Sequence, residues 1–137
     1  MKKISFVLNG NQDDVYGNPV PYTRVVRRAL WVPAAKKYEG WKSFVRRTFY
    51  KHYPEFLMRV ENQLLYGLKP LSTTVSYKAR MDIRIYWMNG IHGDPDNIFK
   101  GIADSLFKND KFLDGSFETY MSEEGKGRVE VDITINI

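Results

Sequence analysis

The sequence contains no cysteine and only two histidines, His52 and His92, among its 137 residues. The absence of cysteine excludes disulfides and thiolate metal sites, so we expect any bound metal to take oxygen ligands. No apolar run reaches the roughly 18 residues that cross a bilayer. The first residues lead into a short alternating segment, whereas a signal peptide would continue into an apolar run. We therefore expect a cytoplasmic protein without a membrane partner.

Positive charge is concentrated in the first part of the chain. Residues 1–53 carry 11 Lys/Arg against 3 Asp/Glu (+8), and residues 54–137 carry 10 against 13 (−3), which sums to the net charge of +5. A basic segment of this kind is the electrostatic footprint of a protein that binds nucleic acid or another polyanion. The alternative is a solvated basic face, and the asymmetry between the two parts favours the first interpretation.

Hydrophobic periodicity predicts alternating strands and helices with loops between them. The predicted strands cover 3–9, 75–87, 116–121 and 128–137, the main helices 34–52 and 95–108, and a shorter helix 55–66. Residues 10–21 are rich in Gly, Asn, Asp and Pro and predict a loop. The order favours an α/β (α+β) fold in a single domain, 1–137: a small mixed sheet of about four to five strands with two main helices packed on it.

An acidic cluster surrounds the second main helix. Six of the sixteen acidic residues lie within 33 positions: Asp82, Asp94, Asp96, Asp104, Asp110 and Asp114. Carboxylates this close repel one another, and a bound divalent cation would offset that repulsion. Asp96, Lys100 and Asp104 recur at i, i+4 and i+8, so a lysine lies between two carboxylates on one helix face.

The start of this helix also has a purely structural interpretation. Asp94 is a good N-cap, Pro95 is a favoured first helical residue, and Asp96 complements the helix dipole. The row through Lys100 would then be a set of surface ion pairs, each worth about 0.5 kcal/mol. Of the other candidates, Asp82 fits an exposed strand position and His92 a loop position better than a catalytic role.

The stretch Asp94-Pro95-Asp96-Asn97-Ile98-Phe99-Lys100-Gly101-Ile102-Ala103-Asp104-Ser105-Leu106 resembles the signature of the RusA-type Holliday junction resolvases. That signature is Asp-x-Asp-Asn-x-x-Lys, followed by apolar residues, an Asp and a Leu. Three further stretches are similar to the family: 17–21 with the arginines that follow, 31–38 at the start of the first helix, and the Gly-Arg-Val-Glu-Val ending. The resemblance covers most of the chain.

The resemblance implies a homodimeric endodeoxyribonuclease, often encoded in prophages, that nicks two opposed strands of four-way junction DNA in recombination and repair. It implies dependence on Mg²⁺, with Mn²⁺ able to substitute. Asp94 and Asp96 would bind the metal, and Lys100 would be the catalytic lysine. The expected DNA-binding residues are basic residues in and after the loop: Arg24, Arg27, Arg28, Lys36 and Lys37.

The chain departs from the family where the third acid is expected. The family has an Asp-Asp-x-Gln segment after the helix, and this sequence has Asp114-Gly115-Ser116-Phe117. One hypothesis is that Asp114 turns inward beside the flexible glycine and becomes a catalytic residue and the third metal ligand. The other is that Gly115 leaves a gap, so that cleavage is weakened or lost and the protein only binds junctions or DNA. A third possibility is a protein unrelated to nucleic acid, in which Asp94 and Asp96 merely cap a helix.

Overall fold

The structure, a computed structural model, describes residues 2–24, 32–56, 70–72, 77–90, 93–107 and 112–136. Its elements are β1 (Lys2–Asn9), α1 (Pro33–His52), β2 (Ala79–Trp87), α2 (Pro95–Leu106), β3 (Leu113–Met121) and β4 (Arg128–Ile135). The predicted helix over 55–66 begins as a single 3₁₀ turn at Pro54–Phe56, and the rest of it lies outside the described residues. Arg27, Arg28, His92 and Asp110 lie outside them as well.

The four strands form one mixed sheet in the order β1-β4-β2-β3. The central strand β4 is antiparallel to both β1 and β2, whereas β2 and β3 are parallel. Parallel neighbours need a crossover, and α2 provides it between β2 and β3. The predicted α/β fold with a mixed sheet and two main helices is therefore confirmed.

One face of the sheet and the apolar stripes of both helices form the core. Alternate residues of each inner strand are buried, including Met81, Ile83 and Ile85 of β2, as the period of two predicts. The predicted stripe of α1 is buried without exception: Tyr38, Trp41, Val45 and Phe49. Within the described ranges, neither helix is long and apolar enough to cross a membrane.

Among the described residues, the other face of the sheet carries ion pairs and no helix. Arg84 donates to Glu130 at 2.8 Å and to Asp132 at 3.0 Å, and Arg80 contacts Asp82 at 2.9 Å. Hydrogen bonds from Arg84 hold the pKa of Glu130 below its usual value. Burial works against a low pKa at Asp132, but hydrogen bonds from Ser5 and Arg84 outweigh it and lower that pKa too. Asp82 is thus a paired strand residue.

Replacing Arg84 by Gln should make the stability of the protein less sensitive to acid. A carboxylate with a depressed pKa stabilises the folded state above its unfolded pKa, near 4, and this contribution is lost as pH falls through the folded pKa. We expect Arg84→Gln to lower the free energy of unfolding by about 1 kcal/mol at pH 7. Between pH 5 and 3, the free energy of unfolding of the variant should decrease less than that of the wild type. Urea denaturation across this range measures both.

The matched control is Arg47→Gln, because Arg47 is exposed on α1 and donates to the carbonyl of Ser43 within the same helix. Its unfolding free energy should follow the wild-type pH dependence. If the unfolding free energies of Arg84→Gln and the wild type changed equally with pH, Arg84 would not be what lowers the pKa values of Glu130 and Asp132.

Candidate active site

The helix α2 begins at the predicted Asp94-Pro95-Asp96 motif. Asp94 has extended backbone geometry, and its side chain accepts a hydrogen bond from the Asp96 N–H at 2.9 Å, so it is the N-cap. Both carboxylates are exposed. The cap uses one carboxylate oxygen of Asp94, so capping itself does not occupy the other three carboxylate oxygens of the two residues.

The ion-pair row predicted along α2 is not formed. In the part of the chain that the structure describes, no salt bridge joins Lys100 to Asp96 or to Asp104, although the spacing of four residues would permit one. Instead, the Lys100 ammonium lies 4.8 Å from the centre of the Tyr22 ring. Lys100 is therefore an exposed cation whose charge is not offset by a described carboxylate.

Asp104 has a structural partner that the sequence pattern does not indicate. The Tyr38 hydroxyl donates to Asp104 at 2.6 Å, and the Lys42 ammonium lies 3.7 Å from the same carboxylate oxygen. Burial raises the pKa of Tyr38 far above its usual value, and the hydrogen bond to Asp104 raises it further, so the phenol stays protonated. Asp104 thus joins α2 to α1 and takes no part in the cluster at the helix start.

The loop after β1 is held against the first turn of α2. The Tyr22 N–H donates to the Asn97 carbonyl at 2.9 Å, and the Asn18 side chain accepts from the Met88 N–H at 2.6 Å. Near the start of β4, Gly127 approaches so closely that a Cβ there would lie 2.1 Å from the Gly17 carbonyl oxygen. These contacts bring the predicted loop with its Gly-Asn-Pro-Val-Pro segment beside the acidic motif.

Three of the five predicted DNA-binding residues, Arg24, Lys36 and Lys37, lie in the described part of the chain. Arg24 is exposed directly after it, and Lys36 and Lys37 are exposed in the first turns of α1. Lys37 also lines a cleft of about 430 Å³ between α1 and the loop, with Pro21 and Thr23 among its other walls. The predicted DNA-binding residues Arg24, Lys36 and Lys37 therefore flank the loop that contacts α2.

Asp114 is not brought to the start of α2. The register pairs Arg80 with Asp114, and the Arg80 guanidinium contacts the Asp114 carboxylate at 2.8 Å on the open face of the sheet. Asp94 and Asp96 belong to the helix on the other face. The predicted set of Asp94, Asp96 and Asp114 is thus not assembled in this structure, because residue 114 has the strand parity of the open face.

Gly115 has the opposite parity and lies under α2. A Cβ at this position would be 2.7 Å from the Phe99 ring and 2.0 Å from the Met81 carbonyl oxygen. The Phe99 ring therefore occupies the space where the family's second Asp would project. Since a backbone oxygen is among the contacts, a side chain at 115 requires the strand itself to move.

Whether these residues suit Mg²⁺ depends on the two acids of α2. Mg²⁺ commonly binds to one or two carboxylates and keeps several waters, completing its shell with substrate phosphates. Asp94 and Asp96 fit this limited role, because their exposed carboxylates lie in the same helix turn. Among the described residues, no group of three acidic or histidine side chains could hold a metal by itself.

Sequence reasoning missed two residues that shape this site, Tyr22 and Phe99. Tyr22 lies under Lys100 and packs edge-on against Tyr38 with ring centres 5.3 Å apart. Phe99 follows the helical pattern of the core and gave no separate signal in the sequence. The signal available in the sequence was Gly115, on which Phe99 packs. A glycine inside a strand often marks a place where another part of the chain approaches the backbone closely.

Comparison with known proteins gave no assignment. No protein-family model matches the chain, and no curated protein matches it either. The similarity to the RusA-type resolvases therefore rests on the quoted motif residues and their spacing.

Any side chain at position 115 should destabilise the protein. We expect Gly115→Ala to lower the free energy of unfolding by about 1–3 kcal/mol, because its Cβ overlaps the Met81 carbonyl and the Phe99 ring. Gly115→Asp should cost at least as much, and this cost would offset any gain from an added metal ligand. Urea denaturation measures both variants, with Thr119→Ala as the control at an exposed position of the same strand. Wild-type stability in Gly115→Ala would contradict the close approach.

Proposed function

We propose that the protein is a Mg²⁺-dependent, structure-specific endodeoxyribonuclease that nicks four-way junction DNA. The proposal rests on the resemblance of the α2 motif to the RusA-type resolvases. The observation that supports it most directly is that the side chains of Asp96 and Lys100 are accessible and not ion-paired to described residues. Both are exposed one helical turn apart, and neither is ion-paired with a described residue. The purely structural interpretation expected Lys100 to form surface ion pairs with Asp96 and Asp104. The described residues do not form these pairs.

Residues at the start of α2 can contribute to phosphodiester hydrolysis in two ways, by stabilising charge on the phosphate and by holding the metal. The Lys100 ammonium can contact a phosphate and offset the negative charge that builds up on it during attack by water. The Tyr22 ring beneath Lys100 limits the positions of that ammonium. Asp94 and Asp96 would hold Mg²⁺, which when bound polarises the phosphate and lowers the pKa of bound water.

Binding of DNA would draw on the exposed cations around the loop. Arg24, Lys36 and Lys37 are exposed, so each can contact a phosphate of bound DNA. Contacts of this type carry most of the affinity for DNA and make it salt-dependent. They would also offset the electrostatic repulsion between DNA and the two carboxylates.

The second candidate is a junction- or DNA-binding protein with weakened or lost cleavage. The arrangement at Gly115 favours it, because Phe99 fills the position of the missing acid and Asp114 is paired with Arg80. With two carboxylates instead of three, we expect weaker metal binding and a need for higher Mg²⁺ concentrations.

Four-way junction DNA, incubated with the protein with and without Mg²⁺, separates the possibilities. Symmetric nicks that require Mg²⁺ support the nuclease. A shifted junction band in gel electrophoresis without nicks at any Mg²⁺ concentration supports the binding protein. Neither nicking nor preference for the junction over linear duplex would refute both proposals, and Asp94 would then be a helix cap alone.

Asp96→Asn should abolish nicking and leave the affinity for the junction equal or higher. The change removes a metal ligand and also one negative charge that repels DNA. The control is Glu123→Gln, which removes an exposed carboxylate in the turn after β3. Nicking of a labelled junction and gel-shift titration measure the two effects. Wild-type cleavage by Asp96→Asn would rule out this site.

Replacing Arg24, Arg27 and Arg28 together by Ala should make binding less sensitive to salt. If each arginine contacts one phosphate, the slope of log K against log salt concentration should decrease in magnitude by roughly 2–3. Fluorescence anisotropy with a labelled junction at several salt concentrations measures it.

A second triple variant controls for the loss of net charge. Lys3, Arg47 and Lys51 are exposed and lie away from the loop, near the start of β1 and on the later turns of α1. Their replacement by Ala removes the same charge and should change the slope much less. Equal slopes for the two triple variants would show that the loop arginines make no specific phosphate contacts.

A further inference from the structure

A stack of three side chains crosses the open face of the sheet near the end of β2. The Arg128 guanidinium lies over the Tyr86 ring, 3.7 Å from its centre. The Tyr86 ring in turn stacks on Tyr120, with the ring centres 5.1 Å apart and 21° between the planes. The register explains this order, because Tyr86 pairs with Arg128 on β4 and with Tyr120 on β3. Arg128 and Tyr120 are therefore the two ends of the stack.

The two ends of the stack differ in how their groups are satisfied. At one end, the Nε atom of Arg128 lies 3.5 Å from a carboxylate oxygen of Glu130, so a guanidinium contacts both a ring and a carboxylate. At the other end, Tyr120 is 43% exposed, and no cation of the described residues lies over its ring. The Tyr120 hydroxyl donates to the Glu118 carboxylate, which holds the ring in position.

A cavity of about 320 Å³ lies beside this stack, where β3 ends and the next turn begins. Besides the three stacked side chains, its walls are Met121, which is 54% exposed, and the exposed acids Glu123 and Glu124. Glu124 lies 3.8 Å from the Lys126 ammonium, but both side chains are more than half exposed, so this ion pair is weak. Glu123 forms no ion pair within the described part of the chain. The negative charge of the cavity is therefore available to a ligand.

The groups of the cavity match a guanidinium better than other ligands. An arginine side chain can stack its planar group on an aromatic ring and form two parallel hydrogen bonds to a carboxylate. Arg128 already does the first of these within the chain, on the neighbouring ring of the same stack. A lysine ammonium is compact and cannot stack in this way. A phosphate would be repelled by Glu123 and Glu124, so this end of the sheet does not suit DNA.

We propose that this cavity binds an arginine side chain of a partner protein, with the guanidinium between the Tyr120 ring and the carboxylates of Glu123 and Glu124. The apolar stem of the arginine would pack on Met121. Arginine is among the residues that most often anchor protein–protein interfaces. Tyr86 and Tyr120 have the strand parity of the open face, so a partner bound here leaves the start of α2, on the other face, accessible.

The probe for this site is a capped pentapeptide with one arginine between glycines, added to the protein without DNA or Mg²⁺. The signals of the Met121 methyl group and the Tyr120 ring report binding in NMR titrations. We expect saturable shifts with a Kd of roughly 1–10 mM, as suits a single exposed side chain. The citrulline peptide keeps the shape but has no charge, and it should bind at least about 5-fold more weakly. The lysine peptide should bind roughly 3-fold more weakly, because it cannot stack.

Replacing the ring tests the aromatic contact. Tyr120→Leu should weaken binding of the arginine peptide roughly 3-fold and remove its advantage over the lysine peptide. The matched control is Tyr77→Leu, because Tyr77 is also exposed but precedes β2, at the opposite end of that strand. This control should bind both peptides like the wild type. Equal affinities in Tyr120→Leu and Tyr77→Leu would overturn the stacking of the guanidinium on Tyr120.

Replacing the two acids tests the ionic contact. Glu123→Gln combined with Glu124→Gln should weaken binding of the arginine peptide roughly 10-fold at low salt. Glu39→Gln combined with Glu55→Gln removes the same charge from exposed positions in and after α1, and it should change the Kd less than about 2-fold. Equal effects of the two double variants would overturn the assigned carboxylates.

The peptide series and an anion decide the proposal as a whole. Equal binding of the arginine and citrulline peptides, or no saturable shift with either, would overturn it. Equal binding of the arginine and lysine peptides would overturn the assignment to arginine. Inorganic phosphate that shifts the Tyr120 and Met121 signals at lower concentration than the arginine peptide would show an anion site instead. None of these titrations involves junction DNA, so their outcome is independent of the proposed nuclease.

Discussion

The close approach of α2 to β3, where Phe99 packs over Gly115, is the contact on which the candidate site depends. Because residue 115 has no side chain, the helix lies directly on the strand and the Phe99 ring fills the space. The contact sets the position of Asp96 and Lys100, which precede and follow Phe99 on the exposed side of the helix. It also supports Phe117, whose ring lies 6.5 Å from that of Phe99 at the edge of the sheet.

The sheet separates acidic residues that are close together in the sequence. Asp82 and Asp114 have the strand parity of the open face, where Arg80 contacts both carboxylates. Asp94 and Asp96 lie at the helix start, and Asp104 is bonded to Tyr38 on α1. Five of the six acids lie in the described residues, where they occupy three separate structural environments. Among these, only the helix start combines exposed acids with a lysine that is not ion-paired to a described residue.

Local sequence patterns predicted the elements because their periodicity reports burial. In the described part of the predicted strand 75–87, the alternating residues from Ala79 to Trp87 are buried, as is the α1 stripe of Tyr38, Trp41, Val45 and Phe49. The period of the pattern therefore predicted the type of each element. The strand predicted over 116–121 was three residues too short at its start, since Asp114 and Gly115 are weak strand formers and pair with β2 through its register.

The sequence by itself determined the α/β composition, the capped start of α2 and the motif that resembles the resolvases, because each depends on neighbours within one or two helical turns. The tertiary structure alone decided which acids meet. Strand parity directs Asp114 to the open face, the loop contact at Asn97 brings Tyr22 under Lys100, and Phe99 occupies the space over Gly115. These contacts join segments far apart in the chain, and a local pattern carries no information about such pairings.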